Sequence, residues 1–574
     1  MLHFKSVKIP IFVSDDDECE TIAEDEGGEV LEDTSGNEEN ENDENESEEN
    51  VEEIKTITRA GREINPPDWY GNPIPSDCLD LTLQSAMLTY AQAVKGPDSK
   101  EWLKAINEEK NSLKENETWK LVPRCQAAGK GILNSTWILK EKEDGRKKAR
   151  LVIRGDQQIP GIDFEETYSP VVSNNALRII LALAGDKAYN IMTFDVKTAF
   201  LYGQLDEEIY MFLPEGYEKN KEFICKLQKS LYGLRQASRQ WNMKFVNTLK
   251  GLGFTEVICE RCVFVHKSHG IILAIHEGEA IMTSLEKEFK MTANYDPKSF
   301  LGVEIVKNSV GLSISQNDYA SQILQKFNMQ DSKPVSTPAV KTGRTEREKK
   351  TAEEVNFPYR QAVGNLLYLS AKTRPDIAYA VNYVSRFMEN PTKLDVTNVK
   401  RIFRYIRGNS VASIMYKNSN DEELHAYCDS DFAEDEIDRK STSGYVIMYK
   451  GGPIAWATRK QQITVTSSTE AEFVSACAMV KELVYLKSFI ENLTGKTVKA
   501  TVYSDNQGAI QLIKNGIFNR RSKHIEVKFH YVCEVYREKR IEIKYIPTDQ
   551  QLADILTKPL GSTKFDAFKK QFFA

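Results

Sequence analysis

The sequence contains no run of 18 or more apolar residues, so we expect no membrane span. Its first residues, MLHFKSVKIPIFVSDDD, lack a long apolar stretch and a small-residue cleavage site, and they do not predict a signal peptide. Cysteine is sparse: nine residues scattered over 574 are typical of a reduced, intracellular protein. A chain of this length has room for three or four domains.

Two of the cysteines lie close to two histidines, in the order Cys259, Cys262, His266 and His269. Such residues can bind zinc, but a zinc finger needs a longer loop between the two pairs than this spacing allows. The surrounding residues predict a hairpin of two strands. We therefore expect a structural role for these four residues and no metal.

Lysine and arginine are absent between Asp15 and Glu53, where the chain carries 21 acidic residues. The composition predicts disorder, and a solvated linker is the simplest interpretation, with an acidic docking tail as the alternative. The formal net charge of the whole chain is −8, so the remainder carries +13. A net positive body is suited to contact with nucleic-acid phosphates, although charge alone does not prove such a role.

Four carboxylates near the C-terminus stand in similar contexts. Asp429 and Asp505 end apolar strands, whereas Glu472 and Asp554 fall in the first turns of predicted helices. These side chains can converge at one end of a sheet, where mutual repulsion would raise their pKa values unless divalent cations bind. Two Mg²⁺ or Mn²⁺ ions can activate water and stabilise the leaving oxygen of a phosphodiester, so the pattern predicts a metal-dependent nuclease.

Capping signals support the two helix starts. Ser467 with Glu470, and Thr548 with Gln551, each have the spacing of a capping box. Asp431 lies on the same strand face as Asp429, but a helix cap or a solvated surface charge is the preferred interpretation for it. The order of strands and helices from Leu424 onward predicts an α/β or α+β domain.

The C-terminal stretch resembles the ribonuclease H domain of copia-type retrotransposon polyproteins over residues 424–562. The motifs that carry this resemblance are YCDSDFAEDEIDRKSTSGYV, PIAWATRKQ, SSTEAEFVSA, YSDNQGAI, RSKHIEVKFHYV and LADILTKPL. The resemblance implies that the metal ligands are Asp429, Glu472, Asp505 and Asp554. It implies that His524 assists proton transfer or product release; an ordinary surface histidine is the alternative. We expect basic residues to grip the phosphates, among them Arg520, Arg521 and Lys523.

Residues 100–408 resemble the reverse transcriptase of the same family. The motifs are ARLVIRGDQQIPGIDFEETYSPVV, FDVKTAFLYGQLDEEIYMFLPEGY, LQKSLYGLRQASRQWNMKF, KSFLGVEI and YRQAVGNLLYLSAKTRPDIAYAVNYVSRFMENP. By this resemblance Asp195 is a metal-binding palm aspartate, and Phe200 discriminates against a ribose 2′-OH. Lys148 and Arg150 resemble the grip on the triphosphate; a solvated basic turn is the alternative. Gln236 corresponds to a position in the nucleotide pocket, and Ser238 replaces the family's usual proline.

One element of the family pattern is missing. The family places an aromatic-x-Asp-Asp hairpin after the strand at CVFVHK, whereas this chain reads IILAIHEGEAIMTSLEKEF, about 15 to 20 residues shorter. We interpret Glu277 and Glu279 as solvated charges at a helix start rather than as replacement ligands. Because polymerase chemistry needs two positioned metals, we expect DNA synthesis to be lost and the palm sheet to be one strand short.

The expected architecture is therefore an α+β/α/β multidomain chain, with a right-hand-like reverse transcriptase followed by a ribonuclease H-like α/β domain. We expect RNA–DNA hybrid and template-primer as partners, with other Pol or Gag products, and no membrane. The implied locations are the cytoplasm, virus-like particles and the nucleus. The alternatives to a ribonuclease are a non-catalytic nucleic-acid-binding remnant and an intact polymerase mis-spliced in its gene model. The expected segments are acidic and disordered (1–60), an extended linker (61–79), degenerate fingers and palm (80–290), a thumb or connection-like region (291–417) and the ribonuclease H-like domain (418–574).

Overall fold

The computed structural model describes most of the chain after residue 87, together with one N-terminal strand. The described residues are 9–13, 88–341 and 356–573, except 142–144, 187–188, 197, 218–221, 267, 269–270, 275–290, 296, 420, 436–437 and 517–525. The expected linker at 61–79 lies outside them, as do Glu277, Glu279, His269 and His524. None of the helices in the described part is long and apolar enough to cross a membrane.

The chain divides into two compact units. Among described residues, the first comprises 88–106 and 137–150, and the second comprises 9–13, 107–136 and everything from Leu151 onward. Twelve α-helices lie in the described part. They are α1 (Tyr90–Lys95), α2 (Ser99–Glu115), α3 (Asn174–Asp186), α4 (Ala237–Gly251), α5 (Asn317–Lys326), α6 (Tyr359–Lys372), α7 (Ala378–Ser385), α8 (Lys393–Gly408), α9 (Ser468–Thr494), α10 (Gln507–Asn515), α11 (Glu526–Arg537) and α12 (Ser562–Phe572).

Twenty-one strands lie in the same described residues. They are β1 (Ile9–Val13), β2 (Trp119–Pro123), β3 (Ile132–Leu133), β4 (Ser135–Glu141), β5 (Lys147–Ile153), β6 (Asn190–Val196), β7 (Tyr210–Met211), β8 (Phe223–Leu227), β9 (Thr255–Val257), β10 (Glu260–His266), β11 (Ile271–Ala274), β12 (Met291–Asn294), β13 (Ser299–Phe300), β14 (Val303–Asn308), β15 (Gly311–Ser315), β16 (Ser413–Lys417), β17 (Leu424–Ser430), β18 (Thr442–Tyr449), β19 (Gly452–Lys460), β20 (Ala500–Ser504) and β21 (Glu542–Tyr545).

The strand that would carry the palm aspartate lies in a six-stranded sheet of order β12-β6-β1-β11-β10-β9. The N-terminal strand β1 pairs antiparallel with both β6 and β11. A hairpin after β11 would place its second strand beside β11, on the side away from β10, and β1 lies there. The expectation of a sheet one strand short is therefore wrong, because the N-terminal segment supplies a strand.

Two further expectations bear on this sheet. Disorder was expected for residues 1–60, and the strand at Ile9–Val13 departs from it. The hairpin expected around Cys259 and Cys262 is confirmed, because β9 pairs antiparallel with β10.

The C-terminal sheet has the order β19-β18-β17-β20-β21. Strands β17, β18 and β19 form an antiparallel meander, and β20 and β21 extend it in parallel. The α/β or α+β character predicted from Leu424 onward is confirmed, although the element that contains Asp554, at Leu552–Leu556, is a 3₁₀ helix. Parallel pairing brings the C-terminal ends of β17 and β20 to the same edge.

The core of this sheet is shared with the preceding helices. Helix α9 packs on one face, whereas Val446 and Leu556 belong to a core formed mainly by α5 to α8 and α12. Trp456 Nε1 donates to the Ser370 carbonyl oxygen at 3.0 Å, and Asn382 donates to that of Thr458 at 3.0 Å. A boundary at residue 418 therefore passes between segments that pack on one another.

Candidate metal centre

Three of the four predicted carboxylates meet at the shared edge of the C-terminal sheet. Asp429 lies near the end of β17, Asp505 directly follows β20, and Glu472 is the fifth residue of α9. One carboxylate oxygen from each lies within 4.8 Å of the others. Among the described residues, this is the one group of three or more His, Cys, Asp or Glu side chains with metal-binding geometry.

The backbone around these residues fixes their positions. Ser475 Oγ donates to the Asp429 carbonyl oxygen at 2.8 Å, which ties α9 to β17. The Ser467 side chain accepts from the Glu470 backbone N–H, which caps α9 as predicted. Glu470 does not complete the capping box, because its carboxylate accepts instead from Thr466. Helix α9 therefore begins where the sequence predicts and delivers Glu472 in its second turn.

Burial and mutual repulsion perturb the carboxyl groups. Burial, together with Asp554, raises the pKa of Asp429 to about 6, although Lys558 opposes that rise. Burial and the charges of Asp429 and Asp505 raise the pKa of Glu472 to about 10. Both shifts favour the protonated carboxyl in the absence of metal, since a charge in a buried site beside like charges is unfavourable.

The donor set fits a hard divalent cation. Mg²⁺ and Mn²⁺ prefer carboxylate oxygens, and this site offers three. The Glu472 Oε2 atom is buried and makes no hydrogen bond, so this carboxylate has an oxygen without a partner. A divalent cation would satisfy that atom and neutralise the repulsion.

The fourth predicted ligand, Asp554, is held differently. It is fully buried in the 3₁₀ helix Leu552–Leu556, where Gln551 is the N-cap and accepts from the Ala553 backbone N–H. The predicted Thr548–Gln551 capping box at the start of a helix is therefore wrong. Lys558 Nζ lies 2.6 Å from Asp554 Oδ1, and Lys564 Nζ lies 2.5 Å from Oδ2.

Two lysines and one threonine at this site were not predicted from the sequence. Lys558 Nζ also lies 3.3 Å from Asp429 Oδ2, and Thr557 Oγ1 donates to the same Asp429 oxygen. A sequence signal existed for Lys558, which stands four residues after Asp554 in LADILTKPL, because residues four apart on a helical segment face one another. Gly444 of β18 allows the segment that carries Leu556 to pack closely against this strand, since a Cβ at position 444 would come within 2.8 Å of the Leu556 Cβ.

Asp431 does not join the cluster. Its side chain is buried and accepts from the Thr442 backbone N–H at 2.9 Å, which links the loop after β17 to the start of β18. The expectation that Asp431 is a helix cap or a solvated surface charge is wrong, because its carboxyl is buried. Burial raises the pKa of this carboxyl.

Several predicted residues fall outside the described part. His524, Arg520, Arg521 and Lys523 belong to the range 517–525, so their roles stay predictions.

The predicted polymerase residues of the second unit lie on or near the six-stranded sheet. Asp195 is a residue of β6, and its backbone pairs with Thr292 of β12. Phe200 follows in a 3₁₀ helix and is half-buried, with its ring edge-to-face against Tyr232 at 5.2 Å between centroids. Their roles at a polymerase site stay predictions.

Gln236 is fully buried and engaged within the protein. Its amide nitrogen donates to the Asp163 carbonyl oxygen at 2.9 Å and to Glu207 at 3.2 Å. Its amide oxygen accepts from Gln158 at 3.1 Å. These bonds brace the start of α4, and a contact with nucleotide stays a prediction.

Lys148 and Arg150 belong to the first unit. Both are half-buried residues of β5, where they flank the buried Ala149 and share one strand face. Arg150 Nη1 donates to the Ala149 carbonyl oxygen at 3.2 Å. These contacts lie within the first unit and do not test the predicted grip of Lys148 and Arg150 on a triphosphate, which stays a prediction.

Comparison with known proteins gives a family match and several relatives. Residues 116–341 match the family model described as reverse transcriptase (RNA-dependent DNA polymerase). The chain is 39% identical to the retrovirus-related Pol polyprotein from transposon TNT 1-94 of Nicotiana tabacum, over 83% of this chain and 38% of that protein. It is 36% identical to the corresponding polyprotein from transposon RE1 of Arabidopsis thaliana, over 89% of this chain and 36% of that protein. The chain thus spans less than two fifths of the length of either relative.

Solved structures of ribonucleases match about a quarter of the chain. The crystal structure of LC11-RNase H1 in complex with RNA/DNA hybrid is 18% identical, and the match covers 24% of this chain and 94% of that chain with a TM-score of 0.19. RNase H1 from Halobacterium salinarum is 15% identical over the same shares, with a TM-score of 0.18. TM-scores this low support no argument about the site, which therefore rests on the geometry above.

Proposed function

Because the chain is related to the Pol polyproteins of copia-type retrotransposons over most of its length, we propose that its C-terminal carboxylates form a ribonuclease H-type centre. The proposed reaction is metal-dependent hydrolysis of the RNA strand in RNA–DNA hybrids. The observation that carries the proposal is the cluster of Asp429, Glu472 and Asp505 at one sheet edge. Similarity to Pol polyproteins and a reverse transcriptase domain support a role in nucleic-acid processing.

The roles of the residues follow from their positions. Asp429, Glu472 and Asp505 would hold a divalent cation, with Glu472 Oε2 as the acceptor that lacks a partner. A bound divalent cation supplies an activated water and stabilises charge on the phosphodiester oxygens. Burial excludes bulk water from Asp429 and Glu472, which strengthens their interaction with a cation.

The polymerase part is proposed to be inactive. Asp195 lies in β6, and the sequence after β11 lacks the Asp-Asp pair that would complete a two-metal site. The position beside β11 is occupied by β1, and the residues of β1, Ile9–Val13, include no carboxylate. An intact polymerase mis-spliced in its gene model stays an alternative, and resequencing the transcript across Ile275 and His276 separates the two.

A second candidate function is a non-catalytic nucleic-acid-binding remnant. The observation in its favour is that both oxygens of Asp554 are paired with lysines, so Asp554 is not offered to a metal in this arrangement. This candidate predicts hybrid binding without cleavage.

The experiment is cleavage of a labelled hybrid by the full chain and two variants. Asp505→Asn is expected to lower the cleavage rate by about 100-fold or more, because it removes a charged metal ligand. Asp566→Asn is the matched control, since Asp566 is an acid of α12 that pairs with Lys569 and Lys570 and is not one of the four predicted ligands. Equal loss in both variants, or none in Asp505→Asn, would contradict the proposed site.

A further inference from the structure

We propose that Lys558 takes the place of a second divalent cation in the substrate-free centre, so that the chain alone binds one metal ion there. The inference rests on the proposed function and specifies how that site is filled. The Lys558 ammonium lies 2.6 Å from Asp554 Oδ1 and 3.3 Å from Asp429 Oδ2. It therefore lies between these two carboxylates, at the position where a second cation could contact both.

The contacts of Asp554 explain why it stands apart from the other three carboxylates. Its Oδ1 faces Lys558 and its Oδ2 faces Lys564, while its side chain is almost completely shielded from solvent. In such a place a carboxylate needs a cation beside it. The two ammonium groups fill that role within the chain itself.

The charges of the site also indicate that one divalent cation binds there. Once a metal ion has displaced their protons, the four carboxylates carry four negative charges, and Lys558 with Lys564 carries two positive charges. One divalent cation at Asp429, Glu472 and Asp505 balances the remainder. A second divalent cation between Asp429 and Asp554 would lie against the Lys558 ammonium, and like charges at such a distance repel strongly in a buried site.

Hydrogen bonds hold the backbone of Lys558 in place, whereas its side chain is partly exposed to solvent. The backbone N–H of Lys558 donates to the Asp554 carbonyl oxygen at 3.3 Å, as does that of Thr557. About a third of the Lys558 side chain is exposed, so the ammonium can leave toward solvent. Lysine is a point charge on a flexible stem, which makes such displacement feasible for a competing cation.

The test is a calorimetric titration of the full chain with Mn²⁺ alone, without nucleic acid. The acidic N-terminal segment also attracts cations, so the relevant ions are those that disappear in the Asp429→Asn, Asp505→Asn double variant. The parent chain is expected to bind one such ion. Lys558→Met is expected to bind two, whereas Lys558→Arg and the surface control Lys570→Met keep one.

Two such ions in the parent would overturn the proposal, as would an unchanged count in a folded Lys558→Met chain. The count in the parent is decisive even where Lys558→Met fails to fold. Cleavage is not measured in this titration, so failure of the ribonuclease assignment and failure of the Lys558 assignment are distinguishable.

Discussion

At the scale of single residues, the unusual property of the site is that folding raises the pKa values of Asp429 and Glu472 in the metal-free chain. The pKa of Asp429 rises from 3.8 to about 6, and that of Glu472 from 4.5 to about 10. The folded, metal-free chain therefore retains protons that the unfolded chain has released. A metal ion must displace them, so metal affinity should rise with pH.

The first prediction concerns stability against pH. A carboxyl whose pKa is raised by folding stabilises the fold below its unfolded pKa and loses that contribution as pH rises toward its folded pKa. For Asp429 this window runs from 3.8 to about 6, and for Glu472 from 4.5 to about 10. The Tm of the metal-free chain in EDTA should therefore fall with rising pH, while the increase in Tm caused by Mg²⁺ should grow. The Asp429→Asn, Glu472→Gln double variant should show a weaker slope, and an equal slope would contradict this explanation.

The second prediction concerns Glu472 itself. Because its pKa is about 10, Glu472 carries a proton at neutral pH in the metal-free chain, and glutamine is a neutral group of the same shape. Glu472→Gln should leave the Tm in EDTA nearly unchanged but remove most of the increase in Tm with Mg²⁺. Thermal unfolding with and without Mg²⁺ checks this. A large loss of Tm in EDTA would show instead that the Glu472 charge supports the fold.

Residue-level prediction succeeded where one short motif determined the position. Asp429, Glu472 and Asp505 follow strand ends or a capped helix start, and they meet as expected. The pairing of Lys558 and Lys564 with Asp554 was not predicted, because it depends on how LADILTKPL packs against β17 and β18. Spacing alone cannot reveal which of several lysines reaches a carboxylate.

At the scale of elements, the six-stranded sheet shows how a missing strand is replaced. Strands β6 and β11 would each have an unpaired edge if nothing lay between them, and unpaired edges are unfavourable. The backbone of Ile9–Val13 pairs with both. Pro10 is opposite Thr193 of β6, whereas only Ile11 and Phe12 pair with β11. Pro10 is therefore paired on one side only, which suits a residue that has no backbone N–H to donate.

The third prediction follows from this pairing. Deletion of residues 1–13 should increase amide hydrogen exchange in β6 and β11 and lower the Tm, because both strands lose backbone hydrogen bonds. Deletion of residues 1–7 is the matched control, since it retains β1. Equal protection of Ile191–Phe194 in the two deletions would show that β1 does not contribute to the sheet in solution.

Local sequence did not predict this strand. IPIFV is a short apolar run beside a segment with 21 acidic residues. The composition of that segment led to the prediction of disorder for residues 1–60 as a whole. Pairing between residues 177 (Val13 and Asn190) to 185 (Ile9 and Phe194) positions apart depends on tertiary contacts that a local pattern does not contain. The strands and helices after Leu424, in contrast, carry local patterns, and a mixed α/β or α+β domain was predicted there.

At the scale of the whole molecule, the C-terminal sheet and the helices before it share a core. Trp456 donates to the Ser370 carbonyl oxygen, and Tyr405 of α8 packs edge-to-face on Phe565 of α12 at 5.5 Å between ring centroids. Experiments on the site therefore belong on the full chain, because residues 418–574 in isolation would expose part of this core.

The fourth prediction concerns nucleic-acid binding by the whole chain. Outside the acidic segment the chain carries a net charge of +13, so binding should be dominated by phosphate contacts that release counterions. Affinity for a hybrid should fall by more than about tenfold between about 50 and 200 mM salt. Fluorescence anisotropy with labelled hybrid measures this, and a flat response would argue against a nucleic-acid role.

The most direct test of the central claim measures binding and hydrolysis in one sample of the purified full chain. An RNA–DNA hybrid labelled on both strands is incubated with the chain in EDTA, then with Mg²⁺. We expect the hybrid to be bound in both conditions and its RNA strand alone to be cut when Mg²⁺ is present. A folded, metal-loaded chain that binds the hybrid and leaves both strands intact would contradict the ribonuclease assignment in favour of the binding remnant.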